Sequence, residues 1–194
     1  MTTAADAPAL VYAWRHPRPH GAEGRCIGAR TDLPIDPRRA KRLAHRIRRW
    51  ARLHHLPRIV ATSPLRRCAA VGRWLRHWGW VHRIDTALIE VDFGAWDGQP
   101  WPMIAVSEID AWCADFHRHA PGGGEPLVQL LERAAAWRPA DAHCVVTHGG
   151  WLLARHWQQQ HPDGRAPRAA YWPPAPHYGE CMVLRAAEDN PAGP

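Results

Sequence analysis

The stretch Leu10-Val-Tyr-Ala-Trp-Arg-His-Pro17 decides the reading of the fold. Residues Leu10 to Trp14 are apolar on both faces of an extended chain, the pattern of a strand buried between two layers. Pro17 has no N–H to give to a sheet, so the strand ends at His16. In open α/β sheets ligands bind beyond the carboxyl ends of the strands, which puts Arg15 and His16 where a substrate can sit. An Arg beside a His can hold an anion and attack it. The plainer alternative is a polar pair that solvates a strand end.

Further along, the same pattern recurs. Arg58-Ile-Val-Ala61 reads as a second short buried strand, followed by Thr62-Ser-Pro-Leu-Arg-Arg-Cys68. Ser63 and Pro64 are expected to cap and open a helix running to about Trp78, with Arg66 and Arg67 in its first turn, an anion-favouring position. His143-Cys-Val-Val-Thr147 is another apolar strand and also ends in a histidine, His148-Gly-Gly150, ahead of a helix from Trp151 to His161. Between these, Asp36-Pro37 starts an amphipathic helix to about Leu53, and Pro126 to Trp137 is expected to be helical. Tyr178 to Arg185 reads as a last strand after a Pro-rich loop over residues 162–177. Strands and helices alternating in this way predict a three-layer α/β/α sandwich: a mostly parallel sheet with helices on both faces. Helical pieces broken by Pro121-Gly-Gly-Gly-Glu125 predict a small cap insertion over about residues 97–131.

The chain of 194 residues is expected to form one domain, with residues 186–194 a disordered tail. No apolar run approaches the roughly 20 residues that span a bilayer, so no membrane partner is expected. The first residues lack the basic start and apolar run of a secretory signal, which points to the cytoplasm. Cys26, Cys68, Cys113, Cys144 and Cys181 are widely spaced with no Cys-x-x-Cys among them, and are read as reduced. The fourteen histidines show no metal-ligand spacing, so neither a metal nor any other cofactor is expected. A net charge of +7 favours phosphate-bearing partners. Arg38, Arg39, Arg42, Arg46 and Arg49 on one face of the first helix could bind a nucleic-acid backbone, but they read more simply as a solvated face. No nucleic-acid partner is expected, and a homodimer is compatible with the sequence.

Three strand ends thus deliver Arg15-His16, Ser63-Pro-Leu-Arg-Arg67 and His148-Gly-Gly150, and a fourth junction delivers Leu88-Ile-Glu90 ahead of Phe93-Gly-Ala-Trp-Asp-Gly98. Over residues 10–185 these elements resemble, in order, the histidine phosphatase superfamily, the branch with cofactor-dependent phosphoglycerate mutases and α-ribazole phosphatases. The resemblance to the α-ribazole phosphatases rests on Arg15-His-Pro-Arg-Pro19, Cys26-Ile-Gly28, Thr31-Asp-Leu-Pro34, Ser63 to Cys68 and Phe93-Gly-Ala-Trp96. It implies a phosphomonoester hydrolase working through phosphohistidine, with α-ribazole 5′-phosphate of cobalamin biosynthesis as substrate.

The residues suit that chemistry. Transfer of a phosphoryl group needs cationic charge around three oxygens, an in-line nucleophile and an acid for the leaving oxygen. By the resemblance His16 is the nucleophile and Glu90 the proton donor, with Asp92 as its fallback and Glu125 read as a helix cap. Arg15, Arg67 and His148, which adds charge if protonated, would hold the phosphate. Trp96, Trp101 and Trp112 are candidates for stacking on a flat base.

Some positions depart from the family pattern. Pro17 replaces a Gly, Ala22 or Glu23 an Asn, Ala29 looks inserted, and Gly123-Gly-Glu-Pro126 replaces Gly-Gly-Glu-Ser. The alternatives are a phosphatase of another small ester, a basic nucleic-acid-binding module, and a phosphoglycerate mutase-type phosphotransferase, against which this chain has no adjacent arginine pair between Glu90 and Gly122 to hold a second acidic group.

Overall fold

The structure, a computed structural model, describes residues 10–186; the expected tail lies almost wholly outside them. Its centre is one five-stranded sheet built from β1 (Leu10–Arg15), β2 (Ile59–Thr62), β3 (Val81–Ile84), β4 (Cys144–Thr147) and β5 (Cys181–Arg185). The spatial order is β3-β2-β4-β1-β5, and every neighbouring pair is parallel except β1 with β5. The α/β architecture is therefore as the alternation of strands and helices predicts.

Side chains on β1, β2 and β4 alternate between two apolar layers. Trp14, Val60, Cys144 and Val146 face α1 (Pro37–Leu53) and α2 (Arg66–His77), against Leu43, Ile47, Val71 and Leu75. Val11, Ala13, Ala61 and Val145 face the other way, towards α4 (Leu127–Ala136) and α5 (Gly149–Gln160), against Leu130, Leu131, Trp151 and Leu152. Both faces of the central strands are thus buried, which is why their sequences are apolar without alternation. Trp151, fully buried, also donates from its indole to Ala87 O at 2.8 Å.

Helix α1 follows its sequence closely. The Asp36 carboxylate accepts from Arg38 N at 2.7 Å, Pro37 takes the first position, and Ala40, Leu43, Ala44, Ile47 and Ala51 are buried. Arg38, Arg39, Arg42, Arg46 and Arg49 are exposed. Truncating Ile47, with no exposed surface, to Ala would cost about 2–5 kcal/mol.

Several boundaries differ from the expectations. Helix α2 begins at Arg66, not at Ser63-Pro64, and the loop residue Asp32 reaches across to accept from Arg66 N at 2.7 Å. Strand β3 is not anticipated by the sequence, being short, charged and on the sheet edge. The last strand starts at Cys181, because Gly179 turns the chain with φ +77° while its N–H still reaches Arg15 O. Between β3 and α4 lie short 3₁₀ turns and α3 (Val106–Ala114), which occupies the stretch expected as a cap.

Candidate active site

Register places the two histidines. Arg15 pairs with Thr147 in the parallel β1–β4 ladder, so His16 and His148 each stand one residue beyond the carboxyl end of adjacent strands. Their ring centroids are 5.0 Å apart at an interplanar angle of 63°. Both are buried, at 4% and 0% exposure.

The His16 ring is oriented by its own turn. Nδ1 lies 2.8 Å from Pro17 O, and because a carbonyl only accepts, Nδ1 carries the proton. Nε2 is left with its lone pair, the form a nucleophile needs. Burial pushes the His16 pKa well below the ordinary imidazole range, and Arg67 and Arg15 push it further, against the Pro17 carbonyl. Pro17, a departure from the family pattern, thus supplies the carbonyl that fixes the tautomer.

Arg67 lies in the first turn of α2 and is 1% exposed. It donates to Gly28 O at 2.8 Å, to Thr31 O at 2.7 Å, and from Nε to His148 Nδ1 at 3.2 Å. One N–H on each terminal nitrogen remains. Gly28 is required here, because a Cβ would fall 2.5 Å from Val91 O and 2.7 Å from the Asp97 carboxylate that accepts from its own N–H.

Since Nδ1 of His148 accepts from Arg67, Nε2 bears the proton and donates to Ser63 Oγ at 2.7 Å. Burial, then Arg67, His16 and Arg15, lower the His148 pKa well below the ordinary range. Ser63 caps no helix; its hydroxyl accepts from His148 and from Leu65 N. The nearby Cys68 Sγ, 3.4 Å from His148 Nε2, is a buried thiol pushed far above its usual pKa, which suits it poorly to attack.

Arg15 donates to Pro176 O at 2.8 Å, and its guanidinium lies 3.9 Å over the Tyr178 ring. Its Nε is buried with no hydrogen-bond partner among the described residues. Within these residues neither Arg15 nor Arg67 has a carboxylate at salt-bridge distance; the ion pairs are made by Arg18, Arg30, Arg83 and Arg133. Two guanidiniums converging on buried histidines without a counter-charge leave room for an anion.

Glu90, 7% exposed, lies across the N-terminus of α5. Its Oε1 accepts from Val91 N and Trp151 N and its Oε2 from Gly150 N, at 3.1–3.2 Å. Thr147 ties the preceding segment to β4 through its hydroxyl, 2.7 Å from Leu88 O. A Cβ on Gly149 would meet the Arg15 guanidinium at 3.3 Å, and one on Gly150 would collide with Glu90 Oε1. The first turn of α5 therefore has Arg15 on one side and Glu90 on the other.

The fallback acid and the expected cap residue are otherwise engaged. Asp92 is paired with Arg30 at 2.7 Å and accepts from Gly94 N; burial pushes its pKa up, but these partners outweigh it and hold it below the usual value. Glu125 caps no helix, since Pro126 is the N-cap of α4. It binds Arg133 at 2.9 Å, and Arg133 donates to Ala87 O and Ile89 O, clamping the backbone just before Glu90. Neither Arg133 nor Tyr178 carried a signal in the sequence, since both act through side chains brought in from distant positions. Among the described residues no group of three or more His, Cys, Asp or Glu could hold a metal ion.

The family model described as "Histidine phosphatase superfamily (branch 1)" matches residues 11–171. No curated protein matches the sequence. Solved structures with the same fold include mycobacterial glucosyl-3-phosphoglycerate phosphatase in complex with VO3, 23% identical, TM-score 0.67, covering 91% of this chain and 92% of that one. YhfR of Bacillus stearothermophilus is 19% identical with a TM-score of 0.69, covering 93% and 96%. TTHB049 of Thermus thermophilus is 25% identical with a TM-score of 0.63, covering 92% and 96%.

Proposed function

From the premise that this chain belongs to the histidine phosphatase superfamily, branch 1, we propose that it hydrolyses small phosphate monoesters through a phosphohistidine on His16. The observation that carries this reading is the buried Arg67 and the half-buried Arg15, whose Nε is buried and unpartnered, beside His16 and without a carboxylate partner among the described residues. A phosphate dianion supplies the missing counter-charge, and guanidinium forks match its oxygens.

In the first step His16 Nε2 attacks phosphorus and the bond to the ester oxygen breaks, while Glu90 gives its proton to that oxygen. In the second, the ionised Glu90 takes a proton from water as the water attacks phosphorus, the N–P bond breaks, and neutral His16 and inorganic phosphate are released. Arg15 and Arg67 hold the non-bridging oxygens throughout. His148 joins them once the anion draws Arg67 Nε away and raises the affinity of Nδ1 for a proton.

Residues 97–131 act as the cap of a single domain, supplying side chains around the leaving group. Within the substrate class, α-ribazole 5′-phosphate of cobalamin biosynthesis is the first candidate, supported by the Arg15 to Pro19 and Phe93 to Trp96 motifs. The test is phosphate release from a panel of monoesters, including that compound, glycerol 3-phosphate and 3-phosphoglycerate, with and without a chelator. Hydrolysis that survives chelation is expected; release that requires a divalent ion would overturn the mechanism.

A further inference from the structure

Beside Glu90 lies a cavity of about 310 Å³ that the steps above do not use. Two of its lining residues neighbour Glu90: Val91 follows it in the chain and Gly150 donates to its carboxyl. The walls are aromatic. Phe93, Trp112, Phe116 and Trp172 succeed one another around it, with centroid separations of 6.1, 5.1 and 5.7 Å, and Leu127 and Leu130 from α4 close it.

Charge is nearly absent from this lining. The single carboxylate, Glu125, has both oxygens bound by Arg133, and no Lys or Arg lines the space. A carboxylate or second phosphate placed here would lose its hydration and gain no cation, whereas a flat apolar group would gain four aromatic neighbours. The size fits the small end of ligand sites. Of the tryptophans expected to stack on a base, Trp112 lines the cavity. Trp96 is buried with its indole bound to Glu108, and Trp101 packs edge-on to Phe93 outside it.

We infer that the alcohol portion of the substrate carries an uncharged aromatic group that occupies this cavity, so that the enzyme selects aryl-bearing monoesters over phosphoglycerates and simple sugar phosphates. The inference rests on the phosphatase reading above. Because the cavity adjoins the acid, the leaving oxygen of such an ester would face Glu90 while its ring fills the aromatic walls.

The test compares 2-naphthylmethyl phosphate with glycerol 3-phosphate and 3-phosphoglycerate, all alkyl esters. In the wild-type protein kcat/KM for the naphthyl ester is expected to exceed that for either other ester by about tenfold or more. Trp172→Ala, which opens the cavity, and Ala169→Phe, which fills it without removing a core side chain, should each lower that preference about tenfold. Equal kcat/KM for the three esters, or an unchanged preference in both variants, would overturn the inference while leaving the phosphatase reading intact. If none of the esters is hydrolysed, the phosphatase reading fails, and the cavity is decided by binding of uncharged 2-naphthylmethanol, followed by saturation-transfer NMR. Binding that Ala169→Phe abolishes supports the aromatic subsite, and no binding to the wild type refutes it.

Discussion

His16 and His148 face each other at 5.0 Å because β1 and β4 are parallel and in a register that pairs Arg15 with Thr147. Each ring is given its tautomer by a different partner, Pro17 O for His16 and Arg67 Nε for His148. One histidine thereby keeps Nε2 free while the other spends both nitrogens on Arg67 and Ser63. This asymmetry is what the proposed role of His16 as nucleophile rests on.

Burial and the neighbouring arginines lower the pKa of both rings well below the ordinary imidazole range in the folded protein. In the unfolded chain they recover a pKa near 6.5, so below that pH the unfolded state binds protons that the native state refuses. Stability is therefore full above about pH 6.5. It falls as pH drops towards the lowered native values, by up to about 1.4 kcal/mol per pH unit for each ring. Urea denaturation at pH 7.5 and 5.5 should show a lower midpoint at 5.5, and the His16→Gln, His148→Gln double variant should narrow the difference. A difference as large in the double variant would show that other groups carry it.

Glu90 is expected to act as an acid, and leaving groups distinguish this from charge placement. Glu90→Gln should slow phosphorylation by alkyl esters roughly 10²–10⁴-fold, the usual contribution of a general acid, and affect an activated aryl ester much less. Single-turnover rates with both esters measure this. Equal losses would remove Glu90 from the role.

Gly150 offers a subtler probe of the same group. A Cβ there would overlap Glu90 Oε1, so Gly150→Ala must displace the carboxyl. Ala is favoured over Gly inside a helix by up to about 1 kcal/mol, which offsets some of the local crowding. Gly150→Ala should thus lower kcat for alkyl esters by about tenfold or more while the melting temperature changes by only a few degrees. A variant that loses activity only in proportion to lost folding would contradict this.

Much of this arrangement is written in the sequence, for identifiable reasons. Strands β1 and β4 are legible because both their faces are buried, and α1 because Asp36-Pro37 precedes a regular apolar stripe. Ser63 looks like a helix cap since Ser before Pro has that composition, yet a distant ring, His148, takes its hydroxyl. Glu125 misleads in the same way, because Arg133 competes for it. Trp172 stands in a Pro-rich loop without periodicity, so nothing local distinguishes it from the other tryptophans.

The Arg133–Glu125 pair supports the Glu90 segment from beneath. Arg133→Met strands Glu125, frees Ile89 O and leaves Ala87 O with the Trp151 indole as its donor, and should cost about 3 kcal/mol, the lower end for a buried pair because both side chains retain some exposure. Adding Glu125→Leu should recover part of the stability, since no unpaired charge remains, but not the activity, since the backbone clamp is still missing. Chemical denaturation and turnover of the two variants measure this. Full recovery of activity in the double variant would mean the clamp is unnecessary.

The central claim, covalent catalysis by His16, is tested most directly by quenching a single turnover with ³²P-labelled ester and locating the label by mass spectrometry. The account predicts an acid-labile, base-stable phosphate on His16, absent from His16→Ala, and prolonged in Glu90→Gln. Label on Ser63 or Cys68, or turnover retained by His16→Ala, would contradict it.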